Sequence, residues 1–419
     1  MCGVSRGVSG SWERAARGAM LLGNDGQLRP TIFAEMSALA TSTGAINLGQ
    51  GFPDEDGPAE VLEAARQAIS DGLNQYPPGF GMPVLREAIA THQNRFYGIS
   101  VDAATQVLVT AGATEALAAT ILALTDTGDE VVTLEPFYDA YAAMIGLSRA
   151  TQVTVALRAP TFQPDHDDLR RAITDRTRLI LINSPHNPTG TVLPRETLEL
   201  IVELAHQHDA IIVTDEVYEH LTFGVEQASG KQAPVKHCPV SSLPGAFERT
   251  VTISSGGKTF STTGWKIGWI VAPAAILQAI NAVKQFLTYV NGAPFQPAIA
   301  VGLGMPDAFF AGAAATLHRK SELLGAGLTA AGFTVMPPQA GYFIVADAAP
   351  LGATDAAEFC RALPALAGVV AVPLTAFVHP DRRDGYNTLV RFAFCKKVDV
   401  LEKASGQLAA LRHTLKGTA

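Results

Sequence analysis

The chain has 419 residues, of which 47% are hydrophobic and 17% are charged, and its net charge at pH 7 is −8. This composition excludes global disorder, predicts two domains around a large core, and argues against nucleic acid or a membrane as a partner. The four cysteines have no paired spacing, so we expect neither a disulfide framework nor a metal site. No apolar run has transmembrane length and no secretory signal is evident, which predicts a cytoplasmic protein.

The N-terminal part of the chain gives weak signals. Residues 1–26 are rich in glycine, serine and arginine and have no clear period, so we expect a disordered extension, with Met20 as an alternative start. Helical patterns follow at residues 59–70 and 84–97. The loop between them carries Tyr76 among prolines and glycines, where it either lies in a plain connection or reaches another surface.

From residue 106 onward, short apolar runs alternate with helical patterns. The runs lie at residues 107–109, 130–134, 153–156, 179–182, 210–213 and 251–253. Continuous apolar strands joined by crossover helices are typical of an α/β fold with a mainly parallel sheet between helices. Ligands in such folds bind beyond the carboxyl ends of the strands.

Polar residues follow several of these strands. Residues 110–115 form a glycine turn before a helix whose free N–H groups can bind phosphate, although most such turns only connect two elements. Asn187-Pro188-Thr189-Gly190 forms a rigid loop that presents a side-chain amide, and His186 beside it is either an acid/base or an ordinary loop histidine. Asp215 ends another strand, where a buried carboxylate needs a cation, either an arginine or a protonated heterocycle.

The stretch around Lys258 is the most unusual part of the chain. Lys258 follows two glycines and is flanked by Ser255 and Lys266, a hydroxyl and a second cation that suit a phosphate. A desolvated lysine amine is what Schiff-base chemistry with an aldehyde requires, and the alternative is a solvated loop with surface lysines. Near the C-terminus, Arg391 lies among aromatic residues in a strand pattern and requires a carboxylate, from a ligand or from an internal salt bridge.

These motifs together resemble the class I, fold type I aminotransferases that depend on pyridoxal 5'-phosphate. Residues 47–54 and 264–269 are similar to the kynurenine, glutamine and methionine aminotransferase branch. Residues 33–40 and 292–297 resemble, within it, actinobacterial N-succinyldiaminopimelate aminotransferases. After the extension at 1–26, we expect a segment at 27–50 packed on the small domain, a large cofactor domain at 51–305 and a small α+β domain at 306–419.

The resemblance also implies the chemistry of the central residues. Lys258 would hold the cofactor aldehyde as an imine and move the proton between the substrate and the cofactor. Asp215 would pair with the pyridinium nitrogen, while Asn187 and Tyr218 would hydrogen-bond the phenolic oxygen.

The remaining roles follow from the same resemblance. Tyr138 would stack on the cofactor ring, with its neighbour Phe137 as the alternative. Arg391 would bind the substrate carboxylate beside Asn187 and the backbone of Gly51. The implied phosphate ligands are Ala113, Thr114, Ser255, Lys266 and, from the second subunit of a homodimer, Tyr76.

The expected reaction is the transfer of an amino group between an L-amino acid and a 2-oxo acid such as 2-oxoglutarate. N-succinyl-LL-diaminopimelate is one candidate donor, and kynurenine, methionine and glutamine are others. A β-lyase acting on cysteine conjugates is the alternative reaction. Residues 288–296 contain no arginine for a distal carboxylate, which argues against strict aspartate specificity.

Overall fold

The structure is a computed structural model that describes residues 10–23, 25–226 and 232–417. The described helices are α1 Ser11–Gly18, α2 Ile32–Thr43, α3 Ala59–Ser70, α4 Pro83–Tyr97, α5 Gly112–Leu124, α6 Asp139–Ser148, α7 His166–Ala172, α8 Arg195–Gln207, α9 Gly256–Thr259, α10 Ala274–Lys284, α11 Phe295–Leu303, α12 Asp307–Ala331, α13 Ala356–Ala367 and α14 Val398–Gly417. The described strands are β1 Ile46–Asn47, β2 Val107–Ala111, β3 Glu130–Glu135, β4 Thr151–Ala156, β5 Thr177–Asn183, β6 Ile211–Asp215, β7 Gly224–Glu226, β8 Gln232–Pro234, β9 Thr250–Ser255, β10 Ile267–Val271, β11 Thr334–Met336, β12 Phe343–Asp347, β13 Val369–Val370, β14 Val372–Pro373 and β15 Leu389–Ala393.

A seven-stranded sheet forms the centre of the molecule, in the order β2-β10-β9-β6-β5-β3-β4. Its strands run in one direction except β10, which is antiparallel to both β2 and β9. Most of its residues are buried on both faces, as expected for apolar strands covered by helices. The α/β class with a mainly parallel sheet, predicted from the sequence, is therefore confirmed.

A second sheet, in the order β11-β12-β15-β14, lies in the C-terminal part of the chain. The long helix α12 packs on α14, and α13 packs on α2. The N-terminal segment also reaches this part of the molecule, where β1 and β13 form a separate two-stranded parallel sheet. Strand β15 carries Arg391, so this smaller unit supplies one side of the site described below.

The structure differs from the sequence-based expectation at the N-terminus. Disorder was expected for residues 1–26, and this is wrong for Ser11–Gly18, which form helix α1 against α6. Two glycines allow the contact: a Cβ atom at Gly18 would lie 2.2 Å from the carbonyl oxygen of Ala142, and one at Gly146 would lie 2.6 Å from that of Arg14. Residues 1–9 lie outside the described part of the chain. The amphipathic pattern of α1 was obscured by its short length.

The helical region after residue 295 is also interrupted. Helix α11 ends at Leu303 and α12 begins at Asp307, because Pro306 has no N–H and cannot continue the first helix. The two helices meet at a bend of 92°. In the described ranges, no single helix is long and apolar enough to cross a membrane.

Candidate active site

A cavity of about 230 Å³ brings together all of the predicted cofactor residues except Tyr76. The predicted residues that line it are Ala113, Thr114, Tyr138, Asn187, Asp215, Tyr218, Ser255, Lys258 and Lys266. They follow the carboxyl ends of β2, β3, β5, β6 and β9, where the sequence placed them. Residues from widely separated parts of the chain therefore meet at one edge of the sheet.

A second pocket of about 280 Å³ adjoins the cavity and contains Gly51 and Arg391. The two spaces share a wall made of Tyr138, Asn187, Tyr218 and Lys258. A molecule held in the second pocket by Arg391 therefore faces the same lysine as a molecule held in the cavity.

Lys258 is fixed between the two spaces. Its Nζ donates a hydrogen bond of 3.2 Å to the carbonyl oxygen of Gly51, and its backbone carbonyl accepts one of 2.6 Å from the hydroxyl of Tyr342. Burial lowers the pKa of Lys258, because desolvation disfavours the ammonium form. The two preceding glycines allow close packing inside the protein: a Cβ at Gly256 would lie 2.7 Å from Cδ1 of Ile299.

Asp215 lies at the end of β6, and its two carboxylate oxygens differ in their hydrogen bonding. Oδ2 accepts a hydrogen bond of 2.7 Å from the hydroxyl of Tyr141, whereas Oδ1 receives only a long contact of 3.4 Å from the backbone nitrogen of Val217, among the described residues. Burial raises the pKa of Asp215 to about 6, and the hydrogen bond from Tyr141 opposes that rise. Oδ1 can accept a further donor such as a protonated ring nitrogen.

The opposite end of the cavity suits a phosphate. Helix α5 begins here without a side-chain cap, so its first N–H groups are available to an anion. Lys266 adopts a left-handed backbone conformation (φ 56°), and its Nζ would lie 3.3 Å from a Cβ placed on Gly112. A Cβ on Gly268 would lie 2.5 Å from the carbonyl carbon of Gly112, so this strand and turn can approach only with glycine.

Of the two residues considered for stacking on the cofactor ring, Tyr138 and Phe137, only Tyr138 lines the cavity. Phe137 is fully buried and packs on His379 with ring centroids 5.1 Å apart. An aromatic wall, a carboxylate for a ring nitrogen, a lysine amine and a phosphate end are therefore present in one cavity. This set of groups fits pyridoxal phosphate.

Arg391 is completely buried and stays close to aromatic rings. Its carbon Cζ lies 3.9 Å from the ring centroid of Phe343 and 4.6 Å from that of Phe377. The guanidinium donates to Oδ1 of Asn187 at 3.2 Å and to the carbonyl of Gly49 at 2.9 Å, while its Nε has no partner among the described residues. Burial lowers the pKa of Arg391 to about 10, so the group is still a cation at neutral pH. Gly51 lines the same pocket, but its carbonyl accepts from Lys258 and not from Arg391.

Sequence reasoning missed several residues of the site. Tyr141 holds Asp215, and Asn183 links the two neighbouring strand ends by donating to the Asp215 carbonyl at 2.7 Å and accepting from the Asn187 nitrogen at 2.6 Å. The spacing of Tyr141, one helical turn after Tyr138, was the available signal. His186 is buried, burial lowers its pKa to about 3, and its ring contacts the hydroxyl of Thr189 at 2.8 Å, so it acts as a structural loop residue.

Tyr76 lies away from this cavity. Its side chain is 82% exposed, and its ring meets that of Tyr289 at 5.7 Å between centroids. Close to Tyr289 in sequence, Phe286 is 83% exposed and Leu287 is 46% exposed. The single chain therefore presents an uncovered aromatic surface outside the site.

Comparison with known proteins identifies relatives over almost the whole chain. Residues 43–404 match the family described as aminotransferase class I and II. The chain is 49% identical to the probable N-succinyldiaminopimelate aminotransferase DapC of Mycobacterium tuberculosis, over 92% of this chain and 98% of that protein. It is 38% identical to the methionine aminotransferase of Escherichia coli, over 92% and 97% of the two chains. The solved structure of N-succinyldiaminopimelate aminotransferase from M. tuberculosis superimposes with a TM-score of 0.87, covering 91% of this chain and 97% of that chain.

Proposed function

The chain belongs to the class I and II aminotransferase family, and on that premise we propose that it exchanges the amino group of N-succinyl-LL-diaminopimelate with 2-oxoglutarate. Enzymes of this family use pyridoxal phosphate, which when bound supplies an electron sink for the charge that develops on the substrate α-carbon. The identity of the donor rests on the relative that is 49% identical. The transfer itself rests on the family and on the lining of the two adjoining pockets.

One observation carries the proposal. Lys258 is part of the wall shared by the cavity and the Arg391 pocket, so its amine faces both the cofactor space and the substrate space. With its pKa lowered by burial, the amine can be free of its proton at lower cost than an exposed lysine. We assign to Lys258 the attachment of the cofactor and the movement of the proton from the substrate α-carbon.

The other residues have supporting roles in this proposal. Asp215 would hold a protonated ring nitrogen, while the hydroxyl of Tyr141 donates to Oδ2 of the same carboxylate. Asn187 and Tyr218 would hydrogen-bond the phenolic oxygen, and Tyr138 would stack on the ring. The phosphate end contains the start of α5 with Ala113 and Thr114, together with Ser255 and Lys266.

Arg391 binds the substrate α-carboxylate in this scheme. Its Nε has no partner within the described residues, and the guanidinium stacks on Phe343, so a carboxylate can be held in plane beside Asn187. The same group serves amino and oxo acids, because both carry that carboxylate.

The proposal includes a homodimer and the cytoplasm as the location. The exposed rings of Tyr76 and Tyr289 and the exposed side chain of Phe286 form a surface that a second copy would cover. Tyr76 of one copy would then complete the phosphate end of the neighbouring site. The division into a large domain at 51–305 and a small domain at 306–419, with the segment 27–50 packed on the latter, is part of the same proposal.

A panel of amino donors tests the substrate assignment. With 2-oxoglutarate as acceptor, we expect the highest kcat/KM for N-succinyl-LL-diaminopimelate, compared with kynurenine, methionine and glutamine. A preference for methionine or kynurenine would overturn the donor while leaving the reaction class intact. Release of pyruvate and ammonia from cysteine conjugates without an oxo acid, and no amino transfer with any donor, would identify a β-lyase.

A further inference from the structure

Two histidines and a glutamate lie together where α4 meets the turn after β6. Nε2 of His92 and Nε2 of His220 are 2.6 Å apart. One ring nitrogen of each histidine and one carboxylate oxygen of Glu219 all lie within 4.8 Å of one another. His92 is 1% exposed and Glu219 is 5% exposed. None of the three residues lines the cavity of the candidate active site or the Arg391 pocket, so the mechanism leaves them unused.

We propose that His92, Glu219 and His220 bind one divalent first-row metal ion of the zinc type. Two imidazole nitrogens and one carboxylate oxygen are a donor set that zinc accepts, with a fourth position left for water. The sequence contains no metal-binding spacing, because His92 and His220 are 128 positions apart and only the fold brings them together. The proposal therefore replaces the sequence-based expectation that no metal is bound.

The charge of the cluster favours a cation. Glu219 accepts hydrogen bonds of 2.6 Å from the hydroxyls of Tyr97 and Ser254, but no lysine, arginine or histidine forms an ion pair with it in the described residues. The nearby Arg95 instead pairs with Asp307. A buried carboxylate without a cationic partner is costly, and a bound metal ion would compensate its charge.

The two imidazoles already face each other through the nitrogens that would bind the metal. At least one of these Nε2 atoms carries a lone pair directed at the other, because two protonated nitrogens cannot form this contact. At 2.6 Å, one Nε2 must donate a proton to the other, and the metal would take the place of that proton. Nitrogen ligands about 2.0–2.1 Å from zinc in tetrahedral geometry lie roughly 3.3 Å apart, so the rings must separate by less than about 1 Å. His220 is only partly buried, which leaves room for this movement.

The residues around His92, Glu219 and His220 are of the kind that surround metal ligands in known sites. Tyr97 and Ser254 fix the carboxylate of Glu219, as the outer partners of metal ligands do. The ring of Phe310 lies 4.3 Å from that of His220, and the ring of Phe96 lies 4.8 Å from that of His92, so apolar groups limit access of water. An ion here would connect α4 to the turn that follows Asp215 and carries Tyr218.

Metal titration of the holoenzyme tests the proposal. Cofactor-loaded enzyme, treated with a chelator and dialysed, is titrated with Zn²⁺ by calorimetry, and a second sample is loaded with Co²⁺ for visible spectroscopy. We expect one ion per chain, cobalt bands typical of tetrahedral coordination, and a higher Tm with Zn²⁺. His92→Gln and His220→Gln should each weaken Zn²⁺ binding by more than about 100-fold, since loss of an outer partner alone costs 10–100-fold.

A partly buried histidine outside the cluster provides the matched control. His318 lies 3.7 Å from Glu322 on α12, a pair that can attract a metal adventitiously, and His318→Gln should leave the strong binding unchanged. Retained cofactor absorbance shows that each variant is folded. If the wild-type enzyme binds no ion stoichiometrically, or if only His318→Gln weakens binding, the proposal is overturned. Should the cluster variants not fold, the wild-type cobalt spectrum decides, and bands typical of six-coordinate cobalt would contradict the site.

Discussion

The hydroxyl of Tyr141 donates a hydrogen bond of 2.7 Å to Oδ2 of Asp215, and both side chains are buried. The bond opposes the effect of burial on the Asp215 carboxylate, since a donor favours the charged form. It also engages Oδ2, which leaves Oδ1 with only the long contact from the Val217 nitrogen among the described residues. Tyr141 is therefore a positioning residue that acts on the cofactor through Asp215.

Tyr141→Phe should weaken cofactor binding, because it removes the hydrogen bond that holds Oδ2 of Asp215. A hydrogen bond to a charged group contributes about 1.5–3 kcal/mol, so the dissociation constant of pyridoxal phosphate should rise roughly tenfold to hundredfold. Equilibrium dialysis of the cofactor measures the change. Tyr386→Phe is the matched control, because this buried tyrosine donates to the carbonyl of Leu157 at 2.8 Å outside the cavity. An equal effect of both variants would show that Tyr141 is only structural.

The raised pKa of Asp215 predicts a pH dependence of the cofactor-free protein. The folded state binds a proton more tightly than the unfolded state, so this group's contribution to stability falls as pH rises from about 4 to about 6. A rise in the pKa of Asp215 from 3.8 to about 6 changes its contribution to the free energy of unfolding by about 3 kcal/mol at most. Asp215→Asn should remove that part of the profile, making the apoprotein relatively more stable above pH 6, as measured by urea unfolding at several pH values. Parallel profiles for both proteins would contradict the assignment.

Arg391 should affect substrate binding and leave the cofactor in place. Arg391→Lys keeps the charge but cannot form two parallel hydrogen bonds to a carboxylate, so kcat/KM should fall for amino and oxo acids alike. Arg391→Ala should lower it by about 10²-fold or more, equivalent to about 3 kcal/mol of transition-state stabilisation. Stopped-flow measurement of each half-reaction checks the shared loss. Arg158→Lys is the control, since this guanidinium also stacks on a ring, that of Tyr386 at 4.9 Å, outside the two pockets. Loss of the cofactor in Arg391→Ala would instead indicate a structural role for Arg391.

Complementation between variants tests whether Tyr76 acts across a dimer. Tyr76→Ala should weaken the phosphate end of the neighbouring site, and Lys258→Ala should be inactive. In a mixed dimer of the two variants, one site would contain Lys258 from one copy and Tyr76 from the other. After subunit exchange, activity should therefore rise above the sum of the separate samples. No recovery, in mixtures shown to contain mixed dimers, would place Tyr76 outside the neighbour's site.

The sequence predicted the strand ends well, because apolar runs there are short and each is followed by a polar motif. Asn187, Asp215 and Lys258 were located in this way, and the structure brings them into one cavity. The order of the strands also explains why Asn183 and Asp215 are paired neighbours. Local patterns were sufficient wherever a residue's position depends on its own strand.

Contacts between distant segments could not be predicted. The packing of Phe343 under Arg391 depends on the pairing of β12 with β15, and a Cβ on Gly51 would meet that ring at 2.2 Å. Nothing in the local sequence of Gly51 indicates this neighbour. The cluster of His92 with His220 is a similar case, since each histidine alone is an ordinary residue of a helix or a turn.

Chemical trapping of the cofactor tests the central assignment most directly. Reduction of the cofactor-loaded enzyme with borohydride converts an imine to a stable amine, and peptide mapping by mass spectrometry then locates the modified lysine. We predict that the pyridoxyl group is on Lys258 and that Lys258→Ala carries none while keeping its fold. Attachment to Lys266, the other lysine that lines the cavity, or to no lysine of the wild-type enzyme, would contradict the account.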